Sequence, residues 1–254
     1  MDIDKTLVKR QFNCGLNTYN DTAVVQKQIA KKLIQELALF GIPAQSHLFE
    51  VGCGTGFLTQ EIMAAFEFDE LIVNDISTTA KLKIQELSKY HSKPIHFMEG
   101  DAEEIDFPKN LNALISSSTI QWFNNKKAFF NKVHQSLKAN GVFAFSTFGC
   151  DNFKEIKSLT GVGLNYHCLD ELTEILSDQF NIIKCNEWVD TKIFDSPLDV
   201  LRHIKQTGVN GIQKTYFGKK ELKKFTVGYN EYFSNKLKQV TLSYNPIIII
   251  AQKK

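Results

Sequence analysis

The segment LFEVGCGTGF, residues 48–57, places alternate glycines between an apolar run and a helix-like run. Gly52, Gly54 and Gly56 let the backbone turn tightly and let a ligand approach without obstruction by a Cβ atom. The spacing is G-x-G-x-G and differs from the G-x-G-x-x-G that aims helix N–H groups at a pyrophosphate. This segment therefore predicts an α/β fold with a ligand site at the end of a strand, and it argues against an ordinary dinucleotide site.

Strand-like and helix-like segments alternate around this turn, as expected for βαβ units. The strand-like segments are HLFEV, LIVND, PIHFM, LNALISS, GVFAFSTF, FNIIKCNEWV and SYNPIIIIAQ. Helical patterns follow from about residue 57 and over 79–90, 126–138 and 170–177. The isoleucines of the last segment favour a buried strand, because β-branched side chains pack well on a pleated surface. We expect an α/β fold with a Rossmann-like, seven-stranded, mostly parallel sheet and helices on both faces.

Two helix-rich stretches lie outside this alternation. Apolar residues at spacings of three or four predict an amphipathic helix over residues 24–40, which Gly41 and Pro43 end. The second stretch, about residues 192–240, is rich in lysine and reads as helical. We expect a single domain over residues 1–254, with a core of about 45–191 and 241–254. A helical cap of about 1–40 and 192–240 is expected over the carboxyl edge of the sheet.

Charge and cysteine patterns argue against several other classes of protein. A formal net charge of +2 without a concentrated basic face predicts no nucleic-acid partner. No apolar stretch is long enough to span a bilayer, so no membrane association is expected. The five cysteines are scattered, which predicts neither a disulfide framework nor a zinc site and suits a reducing cytoplasm. The histidines lack metal-ligand spacing, so no metal is expected.

The second strand-like segment ends in an acidic residue. Asp75 ends LIVND and stands 23 residues beyond Gly52. Its carboxylate can accept both hydroxyl protons of a ribose in a bidentate contact. The alternative is an aspartate that only caps a helix or ends a strand. Together with Glu50, which directly precedes the turn, these residues resemble motif I of the class I S-adenosylmethionine-dependent methyltransferases.

That resemblance implies S-adenosylmethionine as the cofactor and assigns positions at successive strand ends. Asp75 with Ile76 would hold the ribose, and Asp101 with Ala102 would contact the adenine. The remaining assignments fall on the segment SSSTIQWF, where Ser116 and Ser117 would lie beside the methionine part and Gln121 and Trp122 near the transfer site. Simple core packing is the alternative role for Trp122.

The segments FNCGLNTYNDTAVVQKQIAKKL, SSTIQWF, FAFSTFG and LRHIKQTGVNG resemble the malonyl-acyl carrier protein O-methyltransferases of biotin synthesis. The resemblance implies an acyl carrier protein carrying a malonyl group as partner. A malonyl carboxylate is already ionised at pH 7, so no general base is needed. Tyr19 would form a lid, or else an aromatic staple before a helix. Arg202 would bind the malonyl carboxylate, although Asp199, three residues earlier, could form an ordinary surface pair with it.

Other functions stay open at this point. Motif I also suits a methyltransferase for another small carboxylic acid or a quinone precursor, a silent cofactor-binding subunit, or an RNA methyltransferase, although no basic-aromatic stripe supports the last. If the partner is an acidic carrier, it would dock on lysines of the late insertion. The candidates are Lys214, Lys219, Lys220, Lys223 and Lys224, followed by Lys126 and Lys127.

Overall fold

The computed structural model describes residues 3–89, 93–207 and 218–254, apart from the side chains of residues 14–21. The strands of this part are β1 (Ser46–Val51), β2 (Phe68–Asp75), β3 (Ile95–Glu99), β4 (Leu111–Ser117), β5 (Leu137–Phe148), β6 (Phe180–Glu187), β7 (Asp190–Phe194), β8 (Val240–Tyr244) and β9 (Pro246–Lys253). The helices are α1 (Lys5–Thr22), α2 (Val24–Phe40), α3 (Phe57–Ala65), α4 (Thr78–Ser88), α5 (Lys126–Ser136), α6 (Lys154–Thr160), α7 (Leu169–Ser177), α8 (Pro197–Gln206) and α9 (Lys219–Phe233).

Seven strands form the main sheet, in the order β3-β2-β1-β4-β5-β9-β6. Neighbours from β3 to β5 pair in parallel, whereas β9 runs antiparallel to both β5 and β6. The predicted seven-stranded, mostly parallel sheet is therefore confirmed. After β1 the chain moves outward to β2 and β3 and then returns to β4 on the other side of β1. Such a reversal opens a crevice at the carboxyl ends of the central strands.

Helices cover both faces of this sheet, and the strand residues alternate between the two apolar layers. On one face, Phe49 packs in a cluster with residues of α5 and α7, among them Phe129 and Leu172. On the other face, Leu48 packs with residues of α2, α3 and α4, among them Leu33. The long isoleucine run of β9 supplies both layers, because it is buried on both sides. The predicted arrangement of helices on both faces is thus observed.

The prediction that the late insertion is helical throughout was wrong at its two ends. Strands β7 and β8 pair antiparallel there and form a separate two-stranded sheet around α8 and α9. The segment SYNPIIIIAQ, read as one strand, is divided at Asn245 between β8 and β9. The pairing partners Phe194 and Val240 are 46 residues apart in the sequence. A ladder between such distant segments leaves little local pattern to recognise.

The N-terminal region, expected to be helical over about residues 1–40, contains α1 and α2, although the apolar spacing had given bounds only for the second. Helix α6 was missed. Helix α5 ends two residues earlier than expected, since β5 already begins at Leu137. No helix in the described ranges combines the length and apolarity needed to cross a bilayer.

The expectation of no disulfide was wrong. Cys150 follows β5, Cys168 directly precedes α7, and the two form a disulfide with their Cα atoms 5.3 Å apart. Their separation of 18 residues gives no recognisable sequence motif. The fold brings them together because the chain leaves the sheet after β5 and returns toward the same place at the start of α7.

Candidate active site

A cleft of about 1060 Å³, its open mouth included, lies at the carboxyl ends of β1, β2, β3 and β4. This is the crevice that the strand order creates. Most of the residues predicted to bind a cofactor line the cleft: Gly52, Gly54, Asp75, Ile76, Asp101, Ala102 and Ser117. Glu50, Gly56 and Ser116 do not line it and lie behind its wall.

The glycine turn forms the floor of the cleft. The backbone N–H groups of Gly52 and Cys53 both donate to the carbonyl oxygen of Asn74, at 2.8 and 2.9 Å, which ties the turn to β2. A Cβ atom on Gly52 would lie 2.1 Å from Thr119 Oγ1, so only glycine fits. Gly54 has a φ of +53°, and the space where its Cβ would stand is open. The turn therefore leaves room for a ligand above its backbone.

Asp75 anchors this turn as well as facing the cleft. Its Oδ2 accepts the N–H of Gly54 at 2.8 Å, and its Oδ1 accepts the N–H of Ser77 at 2.7 Å. Burial raises the pKa of Asp75, and these two backbone donors oppose the rise. A carboxylate has about four lone-pair sites, so acceptor capacity remains for two hydroxyl groups of a ligand. The geometry suits a ribose.

The three predicted residues behind the wall support the turn. Glu50 is fully buried, and Thr59 Oγ1 donates to its Oε2 at 2.6 Å. Burial raises the pKa of Glu50 to about 8, and Asp75 adds to the rise. Ser116 Oγ donates to the carbonyl oxygen of Val51 at 2.8 Å, joining β4 to β1. Gly56, at a φ of +86°, precedes α3.

Helix α1 lies along the carboxyl ends of the strands and contributes a side of the cleft that sequence analysis missed. Lys5, Val8 and Phe12 line the cleft. Lys5 Nζ lies 3.3 Å from Asp101 Oδ1 and 2.6 Å from Glu103 Oε2. Asp101 Oδ1 also accepts the N–H of Glu103 at 3.0 Å, while Ala102 is buried. These contacts close the adenine end of the predicted site.

A smaller cavity of about 340 Å³, likewise including open space, adjoins the cleft on the side of β5. Phe12, Gln26, Ser118 and Trp122 line both spaces, and we call these four residues the junction. Farther from the cleft, the cavity is lined by aromatic and amide side chains, among them Phe148, Asn152, Tyr166 and Tyr244. A ligand in this cavity would reach the cleft through the junction.

Trp122 lies at the boundary between the two spaces, and Gln121 lines the smaller cavity. Gln121 Nε2 donates to the carbonyl oxygen of Ser118 at 2.6 Å, and its Oε1 accepts from Thr147 Oγ1 at 3.3 Å, so its amide is engaged within the chain. The Trp122 ring packs edge-on against Phe12, with centroids 5.7 Å apart. Trp122 is only 5% exposed, yet its Nε1 has no hydrogen-bond partner among the described residues.

Of the other two predicted residues, Arg202 is not brought to the cleft. Tyr19 belongs to α1, but its side chain lies outside the described residues. The side chain of Arg202 is 64% exposed and pairs with Asp199 on the surface of α8. Its neighbour His203 reaches inward, where Nε2 hydrogen-bonds the Tyr244 hydroxyl at 2.6 Å. In the same segment Thr207 lines the cavity directly, and His203 contacts the cavity wall through Tyr244.

Comparison with known proteins shows similarity over the full length. Residues 49–145 match the family model described as "Methyltransferase domain". The chain is 37% identical to the malonyl-[acyl-carrier protein] O-methyltransferase of Bacteroides helcogenes, covering 99% of this chain and 100% of that protein. It is 36% identical to the protein of the same name from Bacteroides thetaiotaomicron, covering 99% of each.

A solved structure shares the fold at much lower sequence identity. The N-methyltransferase NodS of Bradyrhizobium japonicum, determined in complex with S-adenosyl-L-homocysteine, superposes with a TM-score of 0.61 at 10% identity. The alignment covers 97% of this chain and 98% of that one. This chain and NodS therefore share the same overall fold.

Proposed function

Because this chain belongs to the family of malonyl-[acyl-carrier protein] O-methyltransferases, we propose that it methylates the free carboxylate of a malonyl group carried on acyl carrier protein. The observation that carries the proposal is this similarity over 99% of the chain, matched by a cleft that continues into a second cavity. One space suits a nucleoside cofactor, and the other suits a small acyl group.

The chain is an S-adenosylmethionine-dependent methyltransferase, and its residues suit this cofactor. When bound, S-adenosylmethionine supplies a methyl group on a positively charged sulfur, and transfer to a carboxylate oxygen forms a carbon–oxygen bond, breaks a carbon–sulfur bond, leaves the electron pair on sulfur and moves no proton. Asp75 would hold the ribose, Asp101 and Ala102 the adenine, and Ser117 the methionine end. Glu50, Gly56 and Ser116 would act beneath them by fixing the glycine turn.

The acceptor needs orientation more than activation, since a carboxyl group is already ionised at neutral pH. Alignment of the reacting atoms and exclusion of water can contribute about 7–11 kcal/mol. The aromatic walls of the junction and the second cavity provide such exclusion, with Phe12 and Trp122 at the boundary. Gln121 would keep the turn that carries Ser118 and Trp122 in place.

The carrier would approach through exposed lysines of α9. Lys219, Lys220, Lys223 and Lys224 are all exposed on this helix. Lys127 is exposed too, whereas Lys126 is buried with Nζ donating to the Phe123 carbonyl, so it cannot dock a partner. Lys214 lies outside the described residues. An acidic carrier would meet complementary charge on α9.

We also propose that the reaction serves biotin synthesis in the cytoplasm. The role in biotin synthesis follows from the family resemblance. The cytoplasmic location follows from the scattered cysteines. The disulfide between Cys150 and Cys168 weighs against the cytoplasmic location, because reducing compartments keep most thiols reduced. Cell fractionation with detection of this chain would test the compartment directly.

A labelled-methyl assay with three acceptors in parallel tests the substrate. We expect malonyl-acyl carrier protein to be methylated faster than malonyl-coenzyme A, and free malonate slowest, because only the first offers both an acyl group and a protein surface. Equal rates on all three would contradict the carrier assignment. If an unrelated small acid or a quinone precursor were methylated faster, that compound would be the substrate in place of malonyl-acyl carrier protein.

A further inference from the structure

Unsatisfied polar atoms concentrate at the junction between the cleft and the second cavity. Gln26 Oε1, Ser118 Oγ and Trp122 Nε1 are buried and have no hydrogen-bond partner among the described residues. Gln26 and Trp122 are only 6% and 5% exposed. Folded proteins satisfy the large majority of their buried polar groups, so such atoms mark a place that a bound molecule, either ordered water or a ligand, completes. Three of them border the same opening.

The chemistry of two of these atoms restricts the ligand. An indole N–H can only donate a hydrogen bond, and a serine hydroxyl donates one proton. Ser118 is held by its backbone, since its N–H donates to the carbonyl oxygen of Ser146 at 3.0 Å and its carbonyl accepts from Gln121. Trp122 is fixed by its packing against Phe12. The indole N–H therefore requires an acceptor atom from the ligand, and the Ser118 hydroxyl can donate to a second acceptor beside it.

The second cavity has no charged lining among the described residues. Its walls combine the aromatic rings of Phe148 and Phe153 with neutral polar groups of Asn152, Tyr166 and Thr207. Lys5 is the cationic side chain among the described residues that line the cleft, and it does not line this cavity. An anion here would be held by hydrogen bonds from neutral donors, which are stronger when the acceptor is charged.

We propose that Trp122 Nε1 and Ser118 Oγ bind the free carboxylate of the acyl group and thereby select an acidic acceptor over an uncharged one. This inference rests on the proposed function. Neutral donors fix the carboxylate without neutralising it, so its oxygen keeps the charge needed for attack. A bidentate arginine would bind the same two carboxylate oxygens that Trp122 and Ser118 bind here. Trp122 and Ser118 are therefore specificity determinants, and Arg202 is not needed for this task.

Binding measurements separate recognition of the carboxylate from catalysis. Malonyl- and acetyl-acyl carrier protein are titrated by calorimetry against the chain saturated with S-adenosylhomocysteine. We expect the unaltered chain to bind the malonyl form about a hundredfold more tightly than the acetyl form, with about tenfold from each of the two hydrogen bonds. Trp122→Phe, which keeps an aromatic ring, and Ser118→Ala should each reduce this preference by about tenfold, because each removes one hydrogen bond to a charged group.

Trp188→Phe is the matched control. Trp188 is the second tryptophan of the chain, is half-buried, and lines neither cavity. Its variant should keep the full preference for the malonyl form. Melting temperature and affinity for S-adenosylhomocysteine are measured for every variant, and Ser118→Ala gives an independent result if the larger change at Trp122 unfolds the chain.

An unchanged preference in both Trp122→Phe and Ser118→Ala would overturn the inference. Failure of the proposed function has a different signature. In that case the unaltered chain would transfer no methyl group to malonyl-acyl carrier protein, whatever its binding preference.

Discussion

Asp75 joins two functions in one carboxylate, because it anchors the glycine turn and faces the cleft. Asp75→Ala should weaken S-adenosylhomocysteine binding by about tenfold to a hundredfold, since a hydrogen bond to a charged group contributes about 1.5–3 kcal/mol. Calorimetric titration measures the effect. Asp69→Ala is the control, because Asp69 is an exposed residue of the same strand and lies outside the cleft. Equal affinities for Asp75→Ala and the unaltered chain would remove Asp75 from the site.

Glu50 supports the glycine turn, and its protonation makes the stability of the fold depend on pH. Its pKa in the folded chain, about 8, lies above the ordinary value of 4.5 because of burial. Its contribution to the free energy of unfolding is therefore complete below about pH 4.5 and is lost as the pH rises through about 8. Glu50→Gln, which can still accept the Thr59 hydrogen bond, should remove this part of the decline.

Denaturant unfolding of both proteins across that pH range checks the Glu50 prediction. We expect the two stability curves to diverge in shape, with the unaltered chain losing more stability as the pH rises. Parallel curves would show that Glu50 does not titrate in this range.

Arg202 and Asp199 form an exposed pair, so Arg202→Ala should be nearly neutral. Pairs of this kind on a helix surface contribute about 0.3–0.5 kcal/mol, and kcat/KM for malonyl-acyl carrier protein should stay close to its original value. Asp199→Ala is the matched control and should behave alike. A large loss of kcat/KM in Arg202→Ala alone would restore the role expected from the sequence and would contradict recognition by Trp122 and Ser118.

At the level of elements, α9 carries the exposed lysines that we propose meet the carrier. Reversing Lys223 and Lys224 to glutamate should raise KM for malonyl-acyl carrier protein and weaken its salt dependence, because fewer charges then attract an acidic carrier. Steady-state kinetics over a range of salt concentrations measure both effects. The control changes Lys109 and Lys138 to glutamate. Both are exposed at the amino edge of the sheet, opposite the carboxyl edge that carries the cleft. An identical response in both double variants would show that the α9 face has no special role.

The elements that sequence patterns predicted best are those built from local signals. Helix α2 was expected over 24–40 and is observed there, because its apolar spacing is regular. The ladder between β7 and β8 and the Cys150–Cys168 disulfide were missed, since both join segments that only the fold brings together. Helix α1 was expected only as part of a helical cap over residues 1–40, and its role became visible through Lys5 and Phe12, which line the cleft.

At the scale of the whole molecule, some residues of the site could be predicted from the sequence and others could not. Gly52, Gly54, Asp75 and Asp101 follow successive strands, so a parallel sheet must bring them to one edge, and their place could be derived from the sequence. Ser118 could not be singled out, because its importance comes from an unpaired hydroxyl at the junction of two cavities. The family resemblance pointed to Arg202, but residue type alone carries no information on which side of α8 it faces.

The central claim is that the two adjoining cavities serve methyl transfer to a carrier-bound carboxylate. Intact-mass measurement of the carrier after incubation with this chain and S-adenosylmethionine tests it most directly. We predict that malonyl-acyl carrier protein gains the mass of one methyl group in place of a hydrogen, as an ester that mild base hydrolyses, and that acetyl-acyl carrier protein stays unchanged. An unchanged malonyl-acyl carrier protein, in the presence of a chain that binds S-adenosylmethionine, would contradict the claim.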